Sequence, residues 1–186
     1  MLLLLLLEQL LDANIKLVAD RMKGVSGADK VTVLHIVSPS SFTKVDGLNN
    51  IVDEWIKLAG GVNALTAQGN MIDVTMEEIV SADPQVIIIG SGAAAAVEQL
   101  MADEAWSGIT AVKNGAVYAN PSGVFAWDRY SGEEALQVLW AAKKLNPDVF
   151  EDVDMEQETK DFYQTFYGYE LTDDEVSRIL NGEDPA

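Results

Sequence analysis

The stretch VIIIGSGAAAAVEQ, residues 86–99, decides the fold class. A run of four apolar residues, a Gly-Ser-Gly turn and an alanine-rich segment are typical of a buried strand, a tight turn and a helix. Such a unit also begins dinucleotide sites, where glycines let the backbone approach a pyrophosphate at a helix N-terminus. The stretch therefore predicts an α/β sheet, with a nucleotide-dependent enzyme or sensor using Gly90, Ser91 and Gly92 as one functional alternative.

The nucleotide alternative lacks a residue that its chemistry needs. A dinucleotide site places an acidic side chain at the end of the next strand, where it binds the ribose. Here the next strand is read from AVYANP, residues 116–121, and it ends in Asn120 and Pro121. The simpler interpretation is a turn of small residues that lets a helix pack closely against the sheet.

Strand and helix patterns alternate on both sides of this stretch. Capping boxes, in which a Ser or Thr is followed three residues later by Glu, predict helix starts at Thr75, Ser131 and Thr172. This alternation predicts a doubly wound, mainly parallel sheet flanked by helices over residues 30–182, preceded by a helix within residues 1–25. Strands are predicted at residues 30–37, 85–90 and 116–121, and further helices at 49–58, 93–101 and 155–168.

Composition excludes several classes of function. Twelve basic residues against thirty acidic ones give a net charge of -18, which repels nucleic acid. The acidic surface indicates either a basic partner or a coat that maintains solubility. The chain contains no cysteine, and its initial leucine run ends at Glu8, which is too short to span a bilayer.

Few residues in the sequence could perform catalysis. His35 is the single histidine, and it lies in an apolar strand, so we expect a packed, hydrogen-bonded side chain rather than a metal ligand. No Gly-x-Ser-x-Gly motif is present, and the acidic runs lack EF-hand spacing. The sequence predicts no catalytic residues and no metal site.

The segment SGVFAWDRYSGEE, residues 122–134, is the most informative about binding. It places Phe125, Trp127, Arg129 and Tyr130 between a strand end and a helix start, which is the edge of an α/β sheet where ligands usually bind. Aromatic rings could pack on a large ligand while the arginine pairs with its carboxylate. Alternatively, Trp127 and Tyr130 simply cover the end of the core.

Four segments follow one another in a distinctive order along the chain. They are VTMEEIVSADPQVIIIG, WSGITAVKNGAVYANP, WDRYSGEEALQVLWAAKKLNPDVF and FYQTFYGYELTDDEV. Together they resemble the C-terminal lobe of the substrate-binding proteins of ABC importers for iron-siderophores, haem and cobalamin. The initial segment LLDANIKLVADRM is similar to the end of the long helix that joins the two lobes of such proteins.

The resemblance implies a binding protein that is not an enzyme and needs no cofactor. Its ligand, a metal chelate, would lie between this lobe and an N-terminal lobe absent from the chain, which would make the chain a fragment. It further implies a location outside the cytoplasmic membrane, in the periplasm or anchored by lipid, and delivery of the ligand to an ABC permease.

The resemblance also assigns roles to residues. It places ligand contacts in the loop after the first strand, before Thr75 and after the third strand, and a carboxylate that docks on permease arginines at Glu77. A carboxylate in the first turn of a helix is stabilised by the helix dipole in any case, so Glu77 has a second explanation. The implied ligand contacts are Ser41, Phe42, Asn70, Met71, Trp127, Arg129 and Tyr130, with Ser38 and Lys44 nearby.

Overall fold

The computed structural model of the chain describes residues 2–90 and 93–184. Ser91 and Gly92, on which the nucleotide alternative depends, lie outside the described residues. The first element is helix α1 (Leu2–Arg21), which packs on a later helix: Asn14 Nδ2 donates to the carbonyl of Ala135 at 2.8 Å. None of the helices in the described part of the chain combines the length and the apolar character that a membrane span requires.

A mixed, mainly parallel sheet forms the centre of the fold. Its strands are β1 (Thr32–Ile36), β2 (Lys44–Val45), β3 (Val62–Asn63), β4 (Ile72–Asp73), β5 (Val86–Ile89) and β6 (Val117–Ala119). Strand β1 pairs in parallel with β3 and β5, and β5 pairs in parallel with β6. The β1–β2 and β2–β4 pairs are antiparallel, which gives the order β4-β2-β1-β5-β6 with β3 beside the first half of β1.

Helices cover both faces of this sheet, as the predicted doubly wound fold requires. After α1 the helices are α2 (Ile51–Leu58), α3 (Met76–Ala82), α4 (Ala94–Ala102), α5 (Thr110–Lys113), α6 (Glu134–Leu145), α7 (Met155–Tyr167) and α8 (Asp173–Leu180). Capping boxes begin α3 and α8: Thr75 and Glu78, and likewise Thr172 and Glu175, exchange side-chain and backbone hydrogen bonds. Short 3₁₀ turns lie at Gly27–Asp29 and Glu104–Trp106.

Two hydrophobic clusters pack on opposite faces of the central strands. Alternate residues of a strand point to opposite faces, so Val33 and Ile88 join one cluster while Leu34 and Ile87 join the other. Every residue of β5 is buried, which explains why this strand is apolar throughout. The first cluster contains Trp55, Trp127 and Trp140, and the second contains Trp106.

Two expectations about local structure differ from the fold. Strands β2, β3 and β4 have only two residues each, too few for a visible alternation, and none of them lies within a predicted strand. The capping box predicted between Ser131 and Glu134 is wrong, because helix α6 begins without a side-chain cap. The preceding residue, Glu133, is fully buried, and its carboxylate accepts hydrogen bonds from the amides of Val124 and Phe125 and from the Tyr163 hydroxyl.

Candidate functional site

A cluster of four charged or ionisable side chains lies at the carboxyl end of β1. His35 comes one residue before that end; Asp46 directly follows β2, and Asp128 and Arg129 lie in the loop before α6. His35 Nδ1 is 2.9 Å from Asp46 Oδ2, and His35 Nε2 is 2.9 Å from Asp128 Oδ2. Arg129 Nη2 donates to Asp46 Oδ2 at 3.2 Å, which joins all four side chains in one network. We call these residues the rim cluster.

The rim cluster is buried except for its arginine. His35, Asp46 and Asp128 are fully buried, whereas the Arg129 side chain is 16% exposed. Burial disfavours the imidazolium, but the hydrogen bonds to Asp128 and Asp46 outweigh it and raise the pKa of His35. Burial likewise opposes ionisation of Asp46, and its contact with His35 leaves the pKa of that carboxyl lowered. With His35 protonated, two cations balance two carboxylates.

Asp46 fixes two loops that contain predicted ligand contacts. Its Oδ1 accepts the backbone N–H of Met71 at 2.9 Å, while its Oδ2 accepts from His35 and Arg129. Met71 has a φ of 53°, which is unfavourable for a side chain of this type, so the bond to Asp46 holds a strained backbone. The carboxylate therefore determines the positions of Met71 and Arg129 relative to each other.

Gly90 is needed because of this cluster. A Cβ atom at residue 90 would lie 2.7 Å from Asp128 Oδ2 and 2.8 Å from the carbonyl oxygen of Val37. The end of β5 thus approaches the His35–Asp128 pair so closely that only glycine fits. This packing accounts for Gly90 without a phosphate, although the close neighbours are a loop carboxylate and a backbone carbonyl rather than the helix that the simpler interpretation of the turn predicted.

Four of the predicted ligand contacts come together beside the rim cluster. Asn50 Nδ2 donates to the carbonyl of Gly69 at 2.9 Å and thereby holds the loop of Asn70 and Met71, both of which are exposed. Tyr130 is 81% exposed and lines a groove of about 430 Å³ with Asn50. Arg129 precedes Tyr130 in the chain and shares Asp46 with Met71, so these residues lie on neighbouring loops that form a candidate ligand surface at the carboxyl edge of the sheet.

Three other predicted contacts do not join that surface. Trp127 is 0% exposed and belongs to the first core cluster, so it covers the end of the core. The prediction that Trp127 contacts the ligand is therefore wrong. Phe42 is half-buried and packs edge-to-face on Trp106, with ring centroids 6.0 Å apart. Ser41 Oγ is 3.4 Å from the hydroxyl of Thr43, whose carbonyl accepts from Val74 N just before α3.

Sequence reasoning missed Asp46 and Asp128, although it predicted correctly that His35 is packed and hydrogen-bonded. A signal was available for Asp128, because it stands between the buried Trp127 and Arg129 in a segment already singled out. Asp46 follows a strand of two residues, and nothing in its neighbours indicates that it is buried. A buried histidine needs polar partners, so His35 itself was the strongest hint that such carboxylates exist.

Glu77 lies on a different part of the surface. It is exposed in the first turn of α3 and lines a groove of about 420 Å³ with Leu65, Thr66 and Val74. Within the described chain its carboxylate takes part in no hydrogen bond or ion pair, whereas the neighbouring Glu78 is engaged in the capping box. The position is accessible to a partner.

Solved structures with the same fold include two with substantial sequence identity. A periplasmic solute-binding protein from Veillonella parvula is 32% identical, with a TM-score of 0.77; the match covers 92% of this chain and 52% of that protein. The molybdate-bound structure of MolA from Haemophilus influenzae is 30% identical, with a TM-score of 0.76, covering 89% of this chain and 51% of that one.

Sequence comparison agrees with the structural matches. The molybdate-binding protein MolA of Haemophilus influenzae is 34% identical over 170 residues, which are 89% of this chain and 47% of that protein. The chain thus spans about half the length of these relatives. A family model described as periplasmic binding protein matches residues 7–123. Proteins of this family are not enzymes, so the alternative of a nucleotide-dependent enzyme is wrong. The chain belongs to the periplasmic binding protein family.

Proposed function

We propose that the chain is the C-terminal lobe of the solute-binding component of an ABC importer, working outside the cytoplasmic membrane. One observation supports the proposal: Asp46 accepts from both the backbone of the exposed Met71 and the Arg129 side chain, and the exposed Asn70 and Tyr130 are their neighbours in the chain. In α/β folds, ligands bind outside the carboxyl ends of the strands. The lobe would supply one wall of a ligand cleft and perform no chemistry on the ligand.

The ligand that we propose is an anion held by Arg129. The guanidinium donates to Asp46 through Nη2, and its 16% exposure leaves other N–H groups available to a ligand. Because Asp46 fixes the guanidinium beforehand, little side-chain entropy is lost when an anion binds. The similarity to a molybdate-binding protein favours a tetrahedral oxyanion as the first candidate.

An anionic metal chelate, such as a ferric siderophore or haem, is the second candidate. The exposed side chains of Met71 and Tyr130 favour it, because a small oxyanion has no apolar surface to cover them. Methionine adapts well to irregular apolar surfaces. The two candidates differ in which of these side chains contribute to affinity.

A ligand titration tests the site and separates the candidates. The protein expressed from its natural gene is titrated with molybdate, tungstate, sulfate, ferric siderophores, haem and cobalamin, and tryptophan fluorescence reports binding. Arg129→Gln should weaken anion binding about tenfold or more, as expected for a charged hydrogen bond. Lys113→Gln removes one exposed positive charge elsewhere and is the matched control. Unchanged affinity in Arg129→Gln would remove Arg129 from the site.

We further propose that Glu77 docks this lobe on arginines of the permease. The exposed carboxylate beside an open groove supports this role. The net charge of -18 would steer the protein towards a basic surface, and this effect should weaken with added salt.

A further inference from the structure

A pocket lined by three tyrosines shares no residue with the rim cluster. Tyr163 and Tyr167 come from α7, Tyr169 follows its last turn, and Glu175 comes from α8. Val124, from the loop after β6, completes the opening of this cavity of about 370 Å³. We call it the tyrosine pocket. Its volume falls within the range of small-molecule sites.

The rings are held in place by carboxylates and by each other. The centroids of Tyr163 and Tyr167 are 5.1 Å apart and their planes meet at 89°, so the two rings are perpendicular neighbours. The Tyr163 hydroxyl donates to the buried Glu133, and the Tyr169 hydroxyl donates to Glu175 Oε1 at 2.6 Å. Both contacts hold the walls before any ligand arrives, which reduces the entropy lost on binding.

The charge around the tyrosine pocket is negative. Glu175 lines it, Glu133 lies directly behind Tyr163, and its lining residues include no Lys, Arg or His. The hydrogen bond to Glu175 raises the pKa of Tyr169, and burial raises the pKa of Tyr167. Both phenols therefore keep their protons at neutral pH. The faces of neutral aromatic rings carry negative charge density, which attracts a cation.

These features select one class of ligand. An anion would be repelled by two carboxylates, and a small, strongly hydrated inorganic cation would gain nothing from apolar walls. A methylated ammonium group is weakly hydrated, carries a diffuse positive charge and packs on aromatic faces. We propose that the tyrosine pocket binds a small organic cation with a methylated ammonium group, independently of the anion at Arg129.

The test compares a cation with its neutral analogue of the same shape. Choline and 3,3-dimethylbutan-1-ol are titrated at constant ionic strength, and NMR shifts of the tyrosine ring signals are followed. We expect saturable shifts of Tyr163, Tyr167 and Tyr169 with choline and at least about tenfold weaker binding of the alcohol. Equal affinities, or no saturable shift with choline, would overturn the proposal.

Three variants check the ring and the charge separately. Tyr167→Ala should weaken choline binding about tenfold and Tyr167→Phe less than about threefold, because phenylalanine retains the aromatic face. Glu175→Gln retains the oxygen that accepts from Thr172 N at 2.8 Å, and its NH2 group faces the Tyr169 hydroxyl, which can accept from it. The variant therefore preserves the helix cap and the wall contact and removes the charge. It should weaken choline and leave the alcohol unchanged; an equal loss for both would contradict a cation site. Circular dichroism confirms that each variant is folded.

Discussion

The substitution Asp46→Asn should destabilise the protein strongly and remove part of its pH dependence. Asp46 is fully buried, and its carboxylate accepts from His35, Arg129 and the backbone N–H of Met71. An asparagine keeps one oxygen, so at most part of these contacts survives, and its amide nitrogen would face donors. Among the described residues, Arg129 would then have only Asp128 Oδ2, at 3.8 Å, as an opposite charge.

The expected loss follows from the burial of the network. Removing one partner of a buried ion pair costs about 3 to 5 kcal/mol, because the remaining charge is left without compensation. For a chain of this length each kcal/mol corresponds to about 2–4 °C in Tm, so Tm should fall by about 6–20 °C. Asp73→Asn is the matched control, since Asp73 is 81% exposed and its ion pair with Lys44 is long at 3.7 Å. It should change stability by less than about 1 kcal/mol.

The pH dependence has a definite sign. The folded-state pKa of His35 lies above the ordinary value of 6.5, so protonated His35 stabilises the fold at pH values below 6.5. That stabilisation is lost as the pH rises through the folded-state pKa. In Asp46→Asn the free energy of unfolding should fall less as the pH rises, because His35 then faces one carboxylate fewer and becomes neutral more readily. Urea unfolding between pH 5 and pH 9 is the assay. The reasoning would be refuted if Asp46→Asn lowered the free energy of unfolding by less than about 1 kcal/mol, or if that free energy changed with pH as steeply as in the wild type.

Four further outcomes are expected. Gly90→Ala should cost about 1–3 kcal/mol in chemical denaturation, because its Cβ would meet Asp128 Oδ2 at 2.7 Å; a wild-type midpoint would contradict this. Thr75→Ala should cost about 1 kcal/mol by loss of the α3 capping box, again measured by denaturation. Anion affinity should fall as the pH rises through the pKa of His35, because the rim cluster then becomes negative; a flat profile in ligand titrations would count against it. Glu77→Arg should reduce ligand uptake by cells, whereas Glu98→Arg on α4 should not, and equal uptake in both would remove Glu77 from docking.

The docking and ligand proposals depend on different surfaces, so they can fail separately. Glu77 lies in the first turn of α3, while the ligand surface is built by loops around Asp46. A variant of Glu77 should therefore leave ligand affinity unchanged, and a variant of Arg129 should leave docking unchanged. Transport assays alone would not separate these effects, which is why binding is measured directly.

The sequence by itself determined the class of fold. The unbroken run Val86–Ile89 predicted a strand buried on both faces, and the Thr-to-Glu spacing predicted the starts of α3 and α8. These predictions succeed because they rest on local periodicity and on hydrogen bonds between residues three apart. The resemblance of successive segments to one family then indicated a binding lobe, which the comparisons confirmed at the level of the family.

Only the tertiary structure decided which side chains share a site. His35 is 11 residues from Asp46 and 93 residues from Asp128 along the chain. Their contacts therefore depend on how separate parts of the chain pack together. The same packing buries Trp127 and leaves Tyr130 exposed, although both stand in one aromatic segment. The spacing of Ser131 and Glu134 predicted a cap, but the packing instead buries the adjacent Glu133, whose carboxylate accepts from Tyr163 and from two amides of the loop after β6. Local pattern fixes which elements form, whereas burial of a polar side chain depends on partners that are distant in sequence.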